Sequence, residues 1–213
     1  MKSFIYWTFG VVLLFVCFCF GEVVKPAIIQ GPGQWTIESR YTQPQQILIG
    51  GYEDGKPRRF WYMILTLTNN TGRDFDFYPQ CELMTDTFQI IQSGDRMPSV
   101  VFEQIKRRHQ DSYPFMELLQ KTGNKLIQGE DNTKDLAIIW PDFDARAKNI
   151  RIFISGLSNE IAVIQDPIEK DENGQPERVF LRKTLELNYD IAGDPAFRSN
   201  ANLEFQNQSW IMR

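Results

Sequence analysis

The run from Arg59 to Asn69, RFWYMILTLTN, limits the possible folds more than any other stretch of the chain. Trp61, Met63, Leu65 and Leu67 recur at period two on one face. Phe60, Tyr62 and Ile64 begin the opposite face, which Thr66 and Thr68 continue. Successive side chains of an extended chain point to opposite sides. This strand is therefore apolar on both sides at its start, must be covered on both sides there, and belongs in the middle of a sheet.

Further strand-like runs surround it. Gln34 to Arg40 carries Trp35 and Ile37 on one face, and Gln45 to Ile49 follows, ending at Gly50-Gly51. Gly51 to Pro57 reads as a hairpin loop with Asp54-Gly55 as its turn pair. Asn69-Asn70-Thr71-Gly72 closes the central strand, and Asp74 to Tyr78 alternates acid and aromatic. Glu82 to Ile91, Asp135 to Trp140, Asn149 to Ser155 and Glu160 to Gln165 read as strands. Arg178 to Tyr189 reads as a long one, with Val179, Leu181, Leu185, Leu187 and Tyr189 alternating against Arg182, Thr184, Glu186 and Asn188. A last strand carries Leu203 and Phe205. The charge-rich stretch Gln165 to Arg178, with Asn173-Gly174 and two prolines, reads as a solvated loop.

The middle of the chain changes period. Pro98 suits a helix start, and Val101, Phe102 and Ile105 recur at helical spacing. Lys106, Arg107, Arg108 and His109 follow, where cations complement the helix dipole. Ser112 to Gly123 reads as a second short helix, with a strand over Phe115 to Gln120 as the competing reading. About nine strands and one helical excursion predict a mainly β fold. The expected architecture is an antiparallel β-sandwich with a short helical insertion at about 97–123.

The N-terminus predicts export. Lys2 precedes an apolar run from Phe4 to Phe20 that closes on Cys19-Phe20-Gly21, the layout of a signal peptide over residues 1–21. The 18 residues from Phe4 to Gly21 also approach the length of a bilayer-spanning helix, so an uncleaved anchor is the competing reading. Lipid attachment at Cys17 or Cys19 is opposed by Val16 and Phe18, where a small residue is needed. Cleavage after Gly21 leaves 192 residues (213 less 21), 22–213, enough for a single domain with its own core. It removes Lys2 alone among the charged residues, so 23 basic side chains become 22, against 27 acidic. That balance opposes a nucleic-acid partner or a polybasic membrane-surface role. Only Cys81 remains, so no internal disulfide is expected, and Cys81 reads as a small buried hydrophobe.

Several constellations bear on chemistry. Asp74 and Asp76 flank Phe75, and Asp142 and Asp144 flank Phe143. Carboxylates two apart in extended chain share a side, so each pair is a candidate for Ca²⁺ ligation or for acid and base work. The spacing differs from a twelve-residue calcium loop, and turns are rich in Asp in any case. Lys106-Arg107-Arg108-His109 is a candidate phosphate or sulfated-sugar clamp, against a solvated helix end. His109 is the single histidine, with no nucleophile elbow near it in sequence. Trp35, Trp61, Trp140 and Trp210, with Tyr41, Tyr52, Tyr62 and Tyr113, are candidates for a carbohydrate or peptide face or for the core. Asn69-Asn70-Thr71 and Asn207-Gln208-Ser209 fit the glycosylation triplet.

The phrase MILTLTNNTG, Met63 to Gly72, resembles the strand and Asn-rich turn of bacterial extracytoplasmic immunoglobulin-like domains, which implies an immunoglobulin-like β-sandwich. VFEQIKRRH, DLAIIWPDFDARAKNIRIFISGLSNE and RKTLELNYDIAGD are similar to secreted proteins of planctomycete-type bacteria, a resemblance that extends over most of the chain after about Gln34. It implies an envelope or periplasmic location and carries no catalytic residues. The expectation is an exported, non-enzymatic interaction or structural module that needs no cofactor and whose partner is an envelope protein or glycan. Contact with a membrane is expected only through an uncleaved N-terminal segment. A carbohydrate- or Ca²⁺-binding module is the alternative, followed by a carboxylate-dependent hydrolase.

Overall fold

The computed structural model describes residues 24–50, 55–95, 97–170, 174–193 and 201–213. The expected leader and most of the loop around Asp54 lie outside the described residues. In chain order the elements are β1 (Glu38–Tyr41), β2 (Gln45–Ile49), β3 (Arg58–Thr68), β4 (Phe75–Asp76), β5 (Gln80–Thr85) and β6 (Ile90–Gln92). Then come α1 (Ser99–Arg108), β7 (Glu117–Leu118), β8 (Lys125–Leu126), β9 (Lys134–Pro141) and β10 (Asn149–Ser155). The last are β11 (Ile161–Lys170), β12 (Pro176–Ala192) and β13 (Asn202–Met212). Strands dominate, and nearly all their pairings are antiparallel.

The two-faced apolar strand is β3, and both of its faces are covered. β9 occupies one of its edges, while β1 and β2 lie end to end along the other. Trp61, Met63, Leu65 and Leu67 face the second sheet, whose strands run in the order β11-β12-β10-β5-β6 with β13 on the far edge of β12. There they meet Cys81 and Leu83 of β5, Ile150, Ile152 and Ile154 of β10, and Leu185, Leu187 and Tyr189 of β12. Phe60, Tyr62 and Ile64 point the other way, where Val101 and Ile105 of α1 cover them with Met116 and Leu118. The helix is thus a third layer over the first sheet. Each large apolar side chain so enclosed contributes roughly 1.5–3 kcal/mol relative to exposure.

Three expectations need correction. Glu82 to Ile91 is a hairpin of β5 and β6 rather than one strand. The Thr85 hydroxyl accepts the Gln89 amide at 3.1 Å, and Phe88 takes a left-handed φ of 63°, which turns the chain over. Ser112 to Gly123 is not a helix. Met116 and Leu118 both enter the outer core at period two, β7 pairs parallel to β9, and a single 3-10 turn, Leu119–Lys121, follows. Helix in the insertion is therefore α1 and this one turn. Within the expected loop Gln165 to Arg178, the described residues up to Lys170 and from Pro176 continue β11 and β12, which stay paired as far as Lys170 and Pro176.

β10 and β11 follow one another along the same edge of β12. The Lys183 amide donates to the Glu160 carbonyl, while its neighbour Arg182 exchanges hydrogen bonds with Arg213 beyond β13 on the other side. β11 and the first half of β12 then leave the core as a two-stranded ribbon. No described side chain from Ile161 to Lys170 or from Pro176 to Arg182 is buried. Ile161, Val163, Ile168 and Phe180 are exposed there.

Leu65→Asp places a charge in the fully enclosed core between the sheets. The expected outcome is loss of cooperative thermal unfolding by circular dichroism. A soluble variant that melts like the parent would contradict this placement of β3.

Candidate binding cleft

The site begins with a break in a strand. At Gly156 φ is +85°, and a Cβ there would meet the Tyr78 carbonyl oxygen at 2.7 Å, so only glycine fits. The break separates β10 from β11 and frees Leu157, Ser158 and Asn159 to pair with the segment before β1. Ile37 donates its amide to the Leu157 carbonyl at 2.8 Å. The Trp35 amide donates to Asn159 Oδ1 at 2.8 Å, and Ser158 Oγ donates back to the Trp35 carbonyl at 2.8 Å. This zipper ties the first sheet to the second.

Just past the zipper, Glu160 meets Lys183 of β12. Lys183 Nζ lies 3.1 Å from Glu160 Oε2, and each side chain is 8% exposed. Nζ also lies 3.3 Å from Thr36 Oγ1 and 5.3 Å from the centre of the Trp210 ring. The Ala27 amide donates to Glu160 Oε1 at 2.6 Å, which draws the strip from Val24 to Gln30 across the pair. Burial pushes the Glu160 carboxyl up, but the Ala27 amide and the Lys183 ammonium outweigh it and hold the group below its ordinary value.

Between that strip and the end of β13 lies an open cleft of about 880 Å³. Val24, Pro26, Ala27 and Ile28 form one wall, and Trp210, Ile211 and Met212 form the other. Lys183 and Thr36 also border it. The volume is in the range of small-molecule sites, about 300–1,000 Å³. Lys183 is neutralised by Glu160, and Lys25, on the same border, is exposed to solvent, so the surface offered to an occupant is mainly apolar.

Each carboxylate singled out in the sequence has its own setting. Asp142 Oδ1 accepts the Trp61 indole N–H at 2.9 Å, and its Oδ2 lies 3.3 Å from Arg59 Nη1. Asp144 is gripped by the Arg146 side chain and amide, which hold its carboxyl far below the usual range, with the Thr87 hydroxyl adding to this. Asp74 Oδ1 accepts the Gln128 amide at 2.8 Å. Asp76 is exposed on β4, opposite Lys125 of β8. Among the described residues, no three His, Cys, Asp or Glu side chains group so as to hold a metal ion.

The other candidates divide between structure and surface. Trp61, Trp140 and Tyr62 are buried. Trp35 stacks on Phe75 at 3.9 Å, Tyr41 and Tyr113 are partly buried, and Tyr52 lies outside the described residues. Trp210 is the sequence-nominated aromatic that lines the cleft. Burial pushes the Cys81 thiol well up, helped by the Glu82 charge, which opposes a reactive thiolate. Asn69 is fully buried, and its amide donates to the Arg73 and Leu126 carbonyls, so the first triplet is a structural turn and not an accessible acceptor. Asn207 of the second is exposed and bonds Asn188.

The basic run is divided. Arg108 Nη1 donates to the Gln46 carbonyl and to the Tyr62 hydroxyl, each at 3.3 Å, and His109 Nε2 lies 2.9 Å from the same hydroxyl. Gln45 Oε1 accepts from Tyr62 at 2.9 Å. These two basic residues therefore seat the end of α1 on the sheet, while Arg107 is exposed. Burial, then the Arg108 charge, lowers the His109 pKa.

Sequence reasoning missed Glu160 and Lys183, although a signal was present. Lys183 falls on the inward register of β12, between Leu181 and Leu185. A lysine in that register implies a buried partner. Comparison of the chain with family models, curated proteins and solved structures finds no match. Among the described residues, no helix is long and apolar enough to cross a membrane.

Removing one partner of a buried pair typically costs about 3–5 kcal/mol, because the other charge is left uncompensated. Lys183→Met is expected to destabilise by about that much, and adding Glu160→Leu should recover most of the loss; urea unfolding of both variants measures this. For His109, a folded pKa below the unfolded value means that the native state holds fewer protons. Its stabilisation is complete above about pH 6.5 and is lost as pH falls through the folded pKa. Melting temperature between about pH 7.5 and pH 5 should fall more steeply for the parent than for His109→Gln.

Proposed function

We propose that this chain is an exported, non-enzymatic β-sandwich of immunoglobulin-like type. In this reading it acts in the cell envelope or periplasm as an interaction module and accepts an apolar portion of an envelope partner. The observation that carries the proposal is the open, mainly apolar cleft between Val24–Gln30 and the end of β13, with Lys183 neutralised by Glu160. Ile28 stands fully exposed at its mouth, an arrangement suited to contact with another molecule rather than to packing within the chain. The leader-like run Phe4 to Phe20 supports export. Two mainly antiparallel sheets around a shared core support the sandwich, and the resemblance of Met63 to Gly72 to bacterial extracytoplasmic immunoglobulin-like domains supports its type. The carboxylates nominated for catalysis or Ca²⁺ are mostly engaged in local contacts, which favours binding over chemistry.

Two measurements test the reading. Intact mass of the protein from its native envelope fraction should match a chain starting at Glu22; a full-length mass in a cytoplasmic fraction would overturn export. The uncharged fluorophore N-phenylnaphthylamine should bind saturably and quench Trp210. Ile28→Asp and Met212→Glu should each weaken it about tenfold, the equivalent of 1.4 kcal/mol. Equal binding by both variants and the parent would remove the cleft from the proposal.

A further inference from the structure

β13 is an edge strand whose outward backbone groups are met, among the described residues, only at its beginning, although the Tyr41 hydroxyl donates to the Gln208 side chain farther along. Gln43 Nε2 donates to the Leu203 carbonyl and Gln46 Nε2 to the Ala201 carbonyl, so side chains of the first sheet cap the edge there. From Phe205 onward, among the described residues, no backbone group pairs with this edge. Arg213 exchanges both hydrogen bonds with Arg182, and the register then runs without a shift back to Asn188↔Asn207. By antiparallel alternation, Gln208, Trp210 and Met212 turn their amides and carbonyls away from β12. Exposed edges of this kind are normally protected by lysine, proline or an inward charge. Phe205 to Met212, FQNQSWIM, has none of these and carries no charge at all. Phe205, Gln206, Asn207 and Gln208 are exposed.

We infer that this edge pairs with the same edge of a second copy of the chain, joining the two six-stranded sheets into one. A two-fold axis near Trp210 sets the outward groups of Gln208, Trp210 and Met212 against those of Met212, Trp210 and Gln208 in the second copy. The alternation matches, because all six residues present their backbone groups to the new interface. The uncharged edge admits this occupant. The chain carries a net charge of −4, so two copies repel in general, yet this edge brings no like charges together. Charges elsewhere are screened beyond about 8 Å at physiological salt. Arg213, at the end of the paired stretch, falls opposite the neutral Asn207 of the second copy.

Sedimentation equilibrium of the purified protein tests the inference. The parent is expected to form a dimer at micromolar concentration, with slowed amide exchange at Gln208, Trp210 and Met212. Gln208→Pro removes an outward amide and leaves the β12 ladder intact. By symmetry the dimer loses two hydrogen bonds, which corresponds to about a hundredfold weaker association. Gln208→Lys, which keeps the amide and adds a charge at the interface, serves if the proline variant fails to fold and should likewise favour the monomer. A parent that stays monomeric overturns the inference. So does a dimer that survives both Gln208 variants, or one that dissociates only on Phe180→Ser in the ribbon.

Discussion

β3 must be enclosed from two sides, and the layering of the molecule follows from that need. One face carries Trp61, Met63, Leu65 and Leu67, and the other carries Phe60, Tyr62 and Ile64. A second sheet covers the first set. The second set would face water without α1 and the short run through Met116 and Leu118. The helix is therefore part of the solution to the strand's burial and not an appendage. Tyr62 makes the joint specific. Its ring is buried, and its hydroxyl is met by Gln45, Arg108 and His109, so a polar tip inside the outer layer is satisfied.

The joint between the two sheets uses different physics. It lies where β10 breaks at Gly156 and the backbone of Trp35 to Ile37 zips to Leu157 to Asn159. Glu160 and Lys183 sit at its end. A buried ion pair is a weak source of net stability, since desolvation offsets most of the attraction. Its value here is positional. Lys183 reaches Thr36 from the first sheet, and Glu160 holds the Ala27 amide, so one pair locates two segments that share no regular ladder. The apolar cleft exists because that strip is held at its backbone and not packed down onto β13.

Much of the sheet was legible, because period two survives wherever one face of a strand is buried. Gln45–Ile49 and Asn149–Ser155 have the bounds their alternation implies, and β3 is offset by one residue. Legibility failed where that signal is absent or saturated. β11 and β12 remain paired outside the core, where no burial imposes alternation, and the charged sequence there looks like a loop. β5 and β6 merge into one apolar run whose turn is made by Thr85 and by Phe88 in an unusual conformation. The cleft depends on residues more than a hundred apart in the chain, such as Thr36 and Lys183, and no local pattern encodes that approach. The acidic pairs were visible, but the hydrogen bonds that engage Asp142 and Asp144 come from Trp61 and Arg146 and were not.

β12 is the one strand that belongs both to the core and to the ribbon. Its 17 residues run from the exposed end at Pro176 to Ala192, and β10 and β13 grip its inner half from both edges. Tension applied at the ribbon tip along the strand is therefore delivered to the core as shear. Many ladder hydrogen bonds share that load at once, whereas peeling a strand sideways breaks them singly. A tether attached at the tip would load those bonds together rather than one at a time.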